Sequence, residues 1–149
     1  MQPADWISVS FLTALVLPAG LYITGRETWY LRLVAGILGA NVLVLLGLKT
    51  AFGSRGFFGR PTGAGDCDVF CCGGPVGGAP GFPSGHMTTA AMFVSALWFR
   101  THDAWVLWIG VPWVAAMAWA RWVKQCHNWQ QILAGTILGG FLGWIVSLG

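Results

Sequence analysis

The chain has 149 residues, of which 56% are apolar and only 9% charged, with a formal net charge of +3. Ordinary globular domains carry about 25% charged residues, so too few polar groups remain here to cover a water-facing surface, and a soluble globular domain is excluded. The small, scattered positive charge leaves no nucleic-acid footprint, whereas ten Trp suit a membrane boundary, where an apolar ring meets a wet edge.

Long apolar runs predict one all-α domain over residues 1–149, a polytopic membrane helix bundle of about five spans. The first span covers 6–23, with a kink expected at Pro18. Residues 1–5 carry no basic region, so this segment is expected to stay as a membrane helix rather than be cleaved. A polar turn at 24–27 leads to the second span, 29–48, where Arg32 is close enough to one end to snorkel. Residues 49–83 form a long loop rich in Gly, Pro and Cys. The third span covers 84–99, followed by a turn at 100–103. The fourth covers 104–120 and contains Pro112; after a polar patch at 121–128 the fifth covers 129–148. In this last span Gly135, Gly139 and Gly143 recur every four residues, baring one face for close backbone approach. Packing inside the monomer is its expected use, and a homodimer through the same face is the alternative.

Threading five spans back and forth brings the 49–83 loop and the 121–128 segment to one membrane face. Lys49, Arg55, Arg60, Arg121 and Lys124, five of the eight basic residues, converge there with His86 and His127, two of the three His. Between them lies Pro83-Ser84-Gly85-His86, at the start of an apolar helix. Its Ser hydroxyl is expected to cap that helix, while the first-turn N–H groups and the positive helix end favour a phosphate-like oxyanion. Gly85 lets backbone approach the anion. His86 can pass a proton near neutral pH. Such a cluster at the membrane boundary predicts an active site.

In this order the residues resemble the type 2 phosphatidic acid phosphatase superfamily, which includes lipid phosphate phosphatases and the vanadium haloperoxidases. Its first motif, a Lys ahead of an Arg-Pro pair, corresponds to Lys49 with Arg60-Pro61. The second corresponds to Pro83-Ser84-Gly85-His86. The third, a Ser-Arg with a His six residues on and an Asp four further, corresponds to Arg121 with His127. The likeness spans roughly 49–131. It departs from the family in having ten residues rather than six between Lys49 and Arg60, with Arg55 a rival for a supporting role. Ala120 and Gln131 also stand where the family has Ser and Asp.

The resemblance implies a phosphatase with His127 as nucleophile, forming a phosphohistidine, and His86 as the acid that protonates the leaving group. Lys49, Arg60 and Arg121 would balance charge on the phosphate oxygens, and Ser84 and Gly85 would complete the cradle. It implies no metal and no cofactor. Gln131 would orient His127 through its amide oxygen without a charge to offset the imidazolium, so Gln131→Asp is expected to raise turnover. Asp66 and Asp68 are further carboxylates in the loop. The expected substrate is a lipid phosphate or polyprenyl diphosphate whose tail stays among membrane lipids. The alternative is a weakly active or inactive relative that binds lipid phosphate or a membrane partner.

Cys67, Cys71, Cys72 and Cys126 all fall on the active face. They permit a disulfide on an oxidising side, with Cys67 to Cys71 or Cys72 the most local choice. Their spacing relative to the His residues fits no common zinc pattern. Arg26, Arg32 and Arg100 on the opposite face slightly favour a cytoplasmic location for that face, making the catalytic face extracytoplasmic or lumenal.

Overall fold

The computed structural model describes residues 2–25, 27–65, 67 and 77–149; Arg26, Asp66, Asp68, Cys71 and Cys72 lie outside the described residues. Five long helices form a bundle. The first, α1 (Pro3–Ile23), starts with Pro in its first turn, where the missing N–H costs nothing. The Gln2 N–H donates to Asp5 Oδ2 at 2.8 Å. This helix tightens to a 3-10 turn at Ser10–Leu12 and is helical on both sides of Pro18. The second, α2 (Trp29–Phe52), widens to a π-helix at Leu43–Leu48 and stops at Gly53, whose φ of 64° favours glycine.

The third helix, α3 (Gly85–Thr101), ends at His102 in the left-handed region. Asp103 then caps α4 (Ala104–Val123) by accepting from the Trp105 N–H. Asn128 likewise caps α5 (Trp129–Ser147), accepting from the Gln131 N–H. α3 is the central element. It packs most extensively on α5 and also against α2 and α4, while α1 packs on α2 and α4. The core between these helices includes Leu33, Ile37, Met92 and Phe93.

Four helices, all but α3, are long and apolar enough to cross a membrane. α3 has 17 residues, about 26 Å of helix against about 30 Å of hydrocarbon, and most of its residues from Met87 to Ala96 are buried by its neighbours. Exposed Trp6, Trp122 and Trp129 mark one end of the bundle and Trp105 and Trp108 the other, the distribution expected of aromatic belts at two interfaces. At the latter end Arg100 pairs with Glu27 at 3.0 Å and lies over the Trp29 ring.

Two helix ends differ from the sequence expectation, each at a basic residue. The second helix continues past residue 48, so Lys49 is helical rather than the first loop residue. The fourth continues to Val123 instead of stopping near 120, so Arg121 is a helical residue in its last turn. Only 124–128 connect it to α5.

The glycine stripe serves packing within the chain. A Cβ on Gly135 would lie 2.5 Å from the Ser84 carbonyl oxygen, on Gly139 2.3 Å from that of Thr88, and on Gly143 2.4 Å from that of Met92. A homodimer through this face would have to displace α3. Gly139→Val is therefore expected to cost roughly 1–3 kcal/mol through overpacking, read as a lowered melting temperature in detergent. Gly140, which has nothing within 4 Å of a Cβ, is the control: Gly140→Ala should melt like the parent, and equal melting of both variants would contradict this packing.

Candidate active site

His127 sits in the short connection between α4 and α5 and is 2% exposed. Its Nδ1 lies 2.9 Å from Gln131 Oε1, one helical turn along. The Gln131 amide is fixed from its other side. Its Nε2 donates to the carbonyl oxygens of Phe57 at 2.8 Å and Gly59 at 2.6 Å. Only the amide nitrogen can donate to two carbonyls, so Oε1 must be the atom facing His127. An oxygen there can only accept. The network therefore assigns the proton to Nδ1 and leaves the lone pair on Nε2.

Gln131 also ties together three segments, because its own carbonyl accepts from the Ser84 N–H at 3.0 Å. The loop it grips carries Arg60. There Arg60 N donates to Ala79 O at 2.8 Å, Gly78 N to Arg60 O at 3.1 Å and Gly81 N to Phe58 O at 2.8 Å, around an isolated antiparallel bridge between Gly59 and Pro80. A Cβ on Gly81 would lie 2.7 Å from Gln131 Oε1 and 2.9 Å from Arg60 Cγ. Glycine at that position is what lets Arg60 and Gln131 come so close.

The Pro83-Ser84-Gly85-His86 run opens α3 against this centre. Contrary to expectation, the Ser84 side chain makes no capping bond, and its hydroxyl, fully buried, has no hydrogen-bond partner among the described residues. Buried hydroxyls are normally paired, so this one is available to an incoming acceptor. At Gly85 the nearest atoms to a Cβ are 3.8 Å away, so packing alone does not demand glycine. His86 is half-buried, its ring 4.5 Å from that of Phe11.

Three cations join the two imidazoles. Arg121 is wholly buried in α4 and donates from Nη2 to the Cys67 carbonyl at 2.8 Å and from Nη1 to Ser8 Oγ at 3.2 Å. Burial, and then the charges of Arg60, Arg121 and Lys49, hold the His127 imidazole well below its ordinary value of 6.5, against an upward pull from its Gln131 hydrogen bond. Lys49, half-buried, directly follows the π-helical segment of α2; such segments recur at functional sites. Arg55 does not join them and is exposed. His102 lies at the opposite end of the bundle. Among the described residues, no three His, Cys, Asp or Glu side chains come together as metal ligands.

The local cysteine pairing is not what forms. Cys67 is bonded to Cys126, 59 residues away, because the loop folds back over the α4–α5 connection. The bond flanks His127 on one side, and on the other fixes the carbonyl that holds Arg121. Reduction, or Cys126→Ser, is expected to remove about 2–4 kcal/mol of stability and to slow turnover. Melting and activity in detergent that do not change with reductant would contradict this.

The first span is legible in the sequence, but the part that Asp5, Ser8 and Phe11 play at the site is not, although the threading of five spans puts its N-terminal end on the active face. Nor are the Phe57 and Gly59 carbonyls. Backbone acceptors leave no mark in residue identity. A cavity of about 430 Å³ opens beside His127, lined by Pro61, Thr62, Gly63, Gln125 and Asn128 and flanked by Trp122 and Trp129.

The arrangement offers one imidazole with its outward nitrogen unprotonated, a second imidazole at a helix N-terminus, a buried hydroxyl with no partner among the described residues, and nearby cations. Compared with known families, residues 29–149 match the PAP2 superfamily. No curated protein and no solved structure matches the chain.

Proposed function

This chain belongs to the PAP2 superfamily, a family of phosphatases, and from that premise we propose that it hydrolyses a lipid phosphate or polyprenyl diphosphate through a phosphohistidine on His127. The observation that carries the reading is the Gln131 network, which leaves His127 Nε2 as a fixed, unprotonated nucleophile. Attack in line with the leaving oxygen transfers the phosphoryl group to Nε2. Arg60, Arg121 and Lys49 balance charge on its equatorial oxygens, and the Ser84 hydroxyl and Gly85 N–H donate to them. His86 gives its proton to the departing oxygen, then takes one from the water that hydrolyses the phosphohistidine.

An amphiphilic substrate is favoured because the cavity at His127 is rimmed by exposed Trp122 and Trp129, residues suited to the headgroup boundary. An apolar groove of about 490 Å³ also runs from Met87, next to His86, toward Phe99, and can take a hydrocarbon tail. The Cys67–Cys126 bond supports an extracytoplasmic or lumenal catalytic face, where disulfides persist.

Phosphate release from phosphatidic acid, lysophosphatidic acid, a polyprenyl diphosphate and glucose 6-phosphate, presented to the purified protein in detergent, tests the reading. Turnover of at least one lipid and weak turnover of the sugar phosphate are expected. No lipid turnover would overturn it. Since neutral His127 attacks and its pKa is held down, the attacking form persists in mild acid. The acid limb of kcat/KM should fall below pH 6.5, and a limb above it would contradict the assignment.

A further inference from the structure

The first helix precedes the family match, which begins at residue 29, yet its N-terminal turns enter the site. Asp5, Ser8 and Phe11 lie three residues apart and so share one helical face. Asp5 Oδ1 pairs with Lys124 Nζ at 2.5 Å, one turn beyond Arg121. Ser8 Oγ accepts from Arg121 Nη1 at 3.2 Å, and the Phe11 ring lies 4.5 Å from that of His86.

We propose that Ser8 is a positioning residue for Arg121 and Phe11 for His86, so that the first helix is part of the phosphate-handling apparatus rather than a membrane anchor alone. This rests on the phosphatase reading above for the roles of Arg121 and His86. A guanidinium is planar, and its donors serve a phosphate only when the plane is set correctly. Here the plane is set by two acceptors on different segments, Ser8 Oγ and the Cys67 carbonyl. Ser8 is 1% exposed within an apolar helix, and burial of a hydroxyl is unfavourable unless it is hydrogen-bonded. Its partner is a wholly buried cation of the site. Packing alone does not need this bond. α1 is already fastened to α4 by Asp5–Lys124 and by the Trp113 Nε1 donation to Ser10 Oγ at 2.8 Å. Phe11 closes one side of the His86 ring, limiting the directions in which that imidazole can present its proton.

The test uses the full chain in detergent with two readouts: binding of inorganic phosphate, measured by thermal shift, and hydrolysis of phosphatidic acid. Ser8→Ala is expected to weaken phosphate binding about tenfold, the loss that accompanies one hydrogen bond to a charged group, and to raise KM in parallel. Ser8→Thr, which keeps the hydroxyl, should restore both to within about twofold. Ser10→Ala, on the same helix but bonded to Trp113, should leave phosphate binding unchanged. Phe11→Leu should leave phosphate binding unchanged and shift the basic limb of the kcat–pH profile, which reports the proton donor. Phosphate binding by Ser8→Ala equal to that of the parent, or failure of Ser8→Thr to restore it, overturns the Ser8 assignment and leaves the phosphatase reading standing. An unshifted profile for Phe11→Leu overturns the Phe11 assignment. Phosphate binding that depends on Ser8 without hydrolysis of any lipid phosphate sinks the phosphatase reading but not the positioning role. A parent protein that binds no phosphate overturns both.

Discussion

His127→Ala should lower phosphate release by about 10⁴-fold or more, the scale seen when the nucleophile of a coupled catalytic unit is removed. In the proposed mechanism the imidazole forms the new bond to phosphorus, so no neighbour can replace it by electrostatics alone. Arg60, Arg121, Lys49 and the Ser84 hydroxyl are untouched by the change, so the variant should still bind inorganic phosphate. Loss of turnover with retained phosphate binding and near-parental melting is the expected pattern. A variant that keeps substantial turnover would remove His127 from the chemistry. His86→Ala should lose less, about 10²- to 10⁴-fold, because proton transfer assists departure without making the bond.

The second large effect runs against the sequence expectation. Gln131→Asp would restore the carboxylate that the family places four residues after its His, and on charge alone should assist the imidazolium formed during attack. The structure shows what that exchange removes. Gln131 Nε2 donates to the Phe57 and Gly59 carbonyls, and a carboxylate has only acceptors to offer them. The Phe57 carbonyl keeps the Asn128 Nδ2 donor at 2.9 Å, but the Gly59 carbonyl loses its donor among the described residues, which costs on the order of 1–3 kcal/mol, and the shorter side chain draws back from either the loop or His127. Because Gly59 precedes Arg60, the damage extends to a residue proposed to hold the phosphate. Gln131→Asp is therefore expected to lower both melting temperature and kcat. Gln131→Glu, which keeps the length and exchanges only the donor for an acceptor, should also melt lower than the parent. Higher kcat in a Gln131→Asp protein with unchanged melting would show that charge outweighs the loop bonds.

Much of this architecture could be read from residue order. Apolar run lengths predict the spans, and their alternation puts Lys49, Arg60, His86, Arg121 and His127 on one face. The glycines of α5 predict a bare face, which α3 occupies. The remaining features depend on three-dimensional closure. Arg121 reads as a polar-patch residue because an isolated Arg is unfavourable in an apolar helix, yet it is helical and buried because Ser8 and the Cys67 carbonyl receive its donors. The Cys67–Cys126 bond follows from how the loop folds back, which no local spacing encodes. Ser84 looks like a helix cap by type, but its hydroxyl has no partner among the described residues. At Gln131 the residue type conveys the lost charge and conceals the two backbone bonds gained.

The proposed mechanism transfers the phosphoryl group to His127. Incubating the purified protein with lipid substrate labelled in its phosphoryl group, quenching in alkali and mapping the labelled peptide tests it most directly. An acid-labile, alkali-stable phosphoryl group is expected on the peptide containing His127 and should be absent from His127→Ala. Turnover with no labelled enzyme under conditions that trap the intermediate, or label on His86 instead, would contradict it.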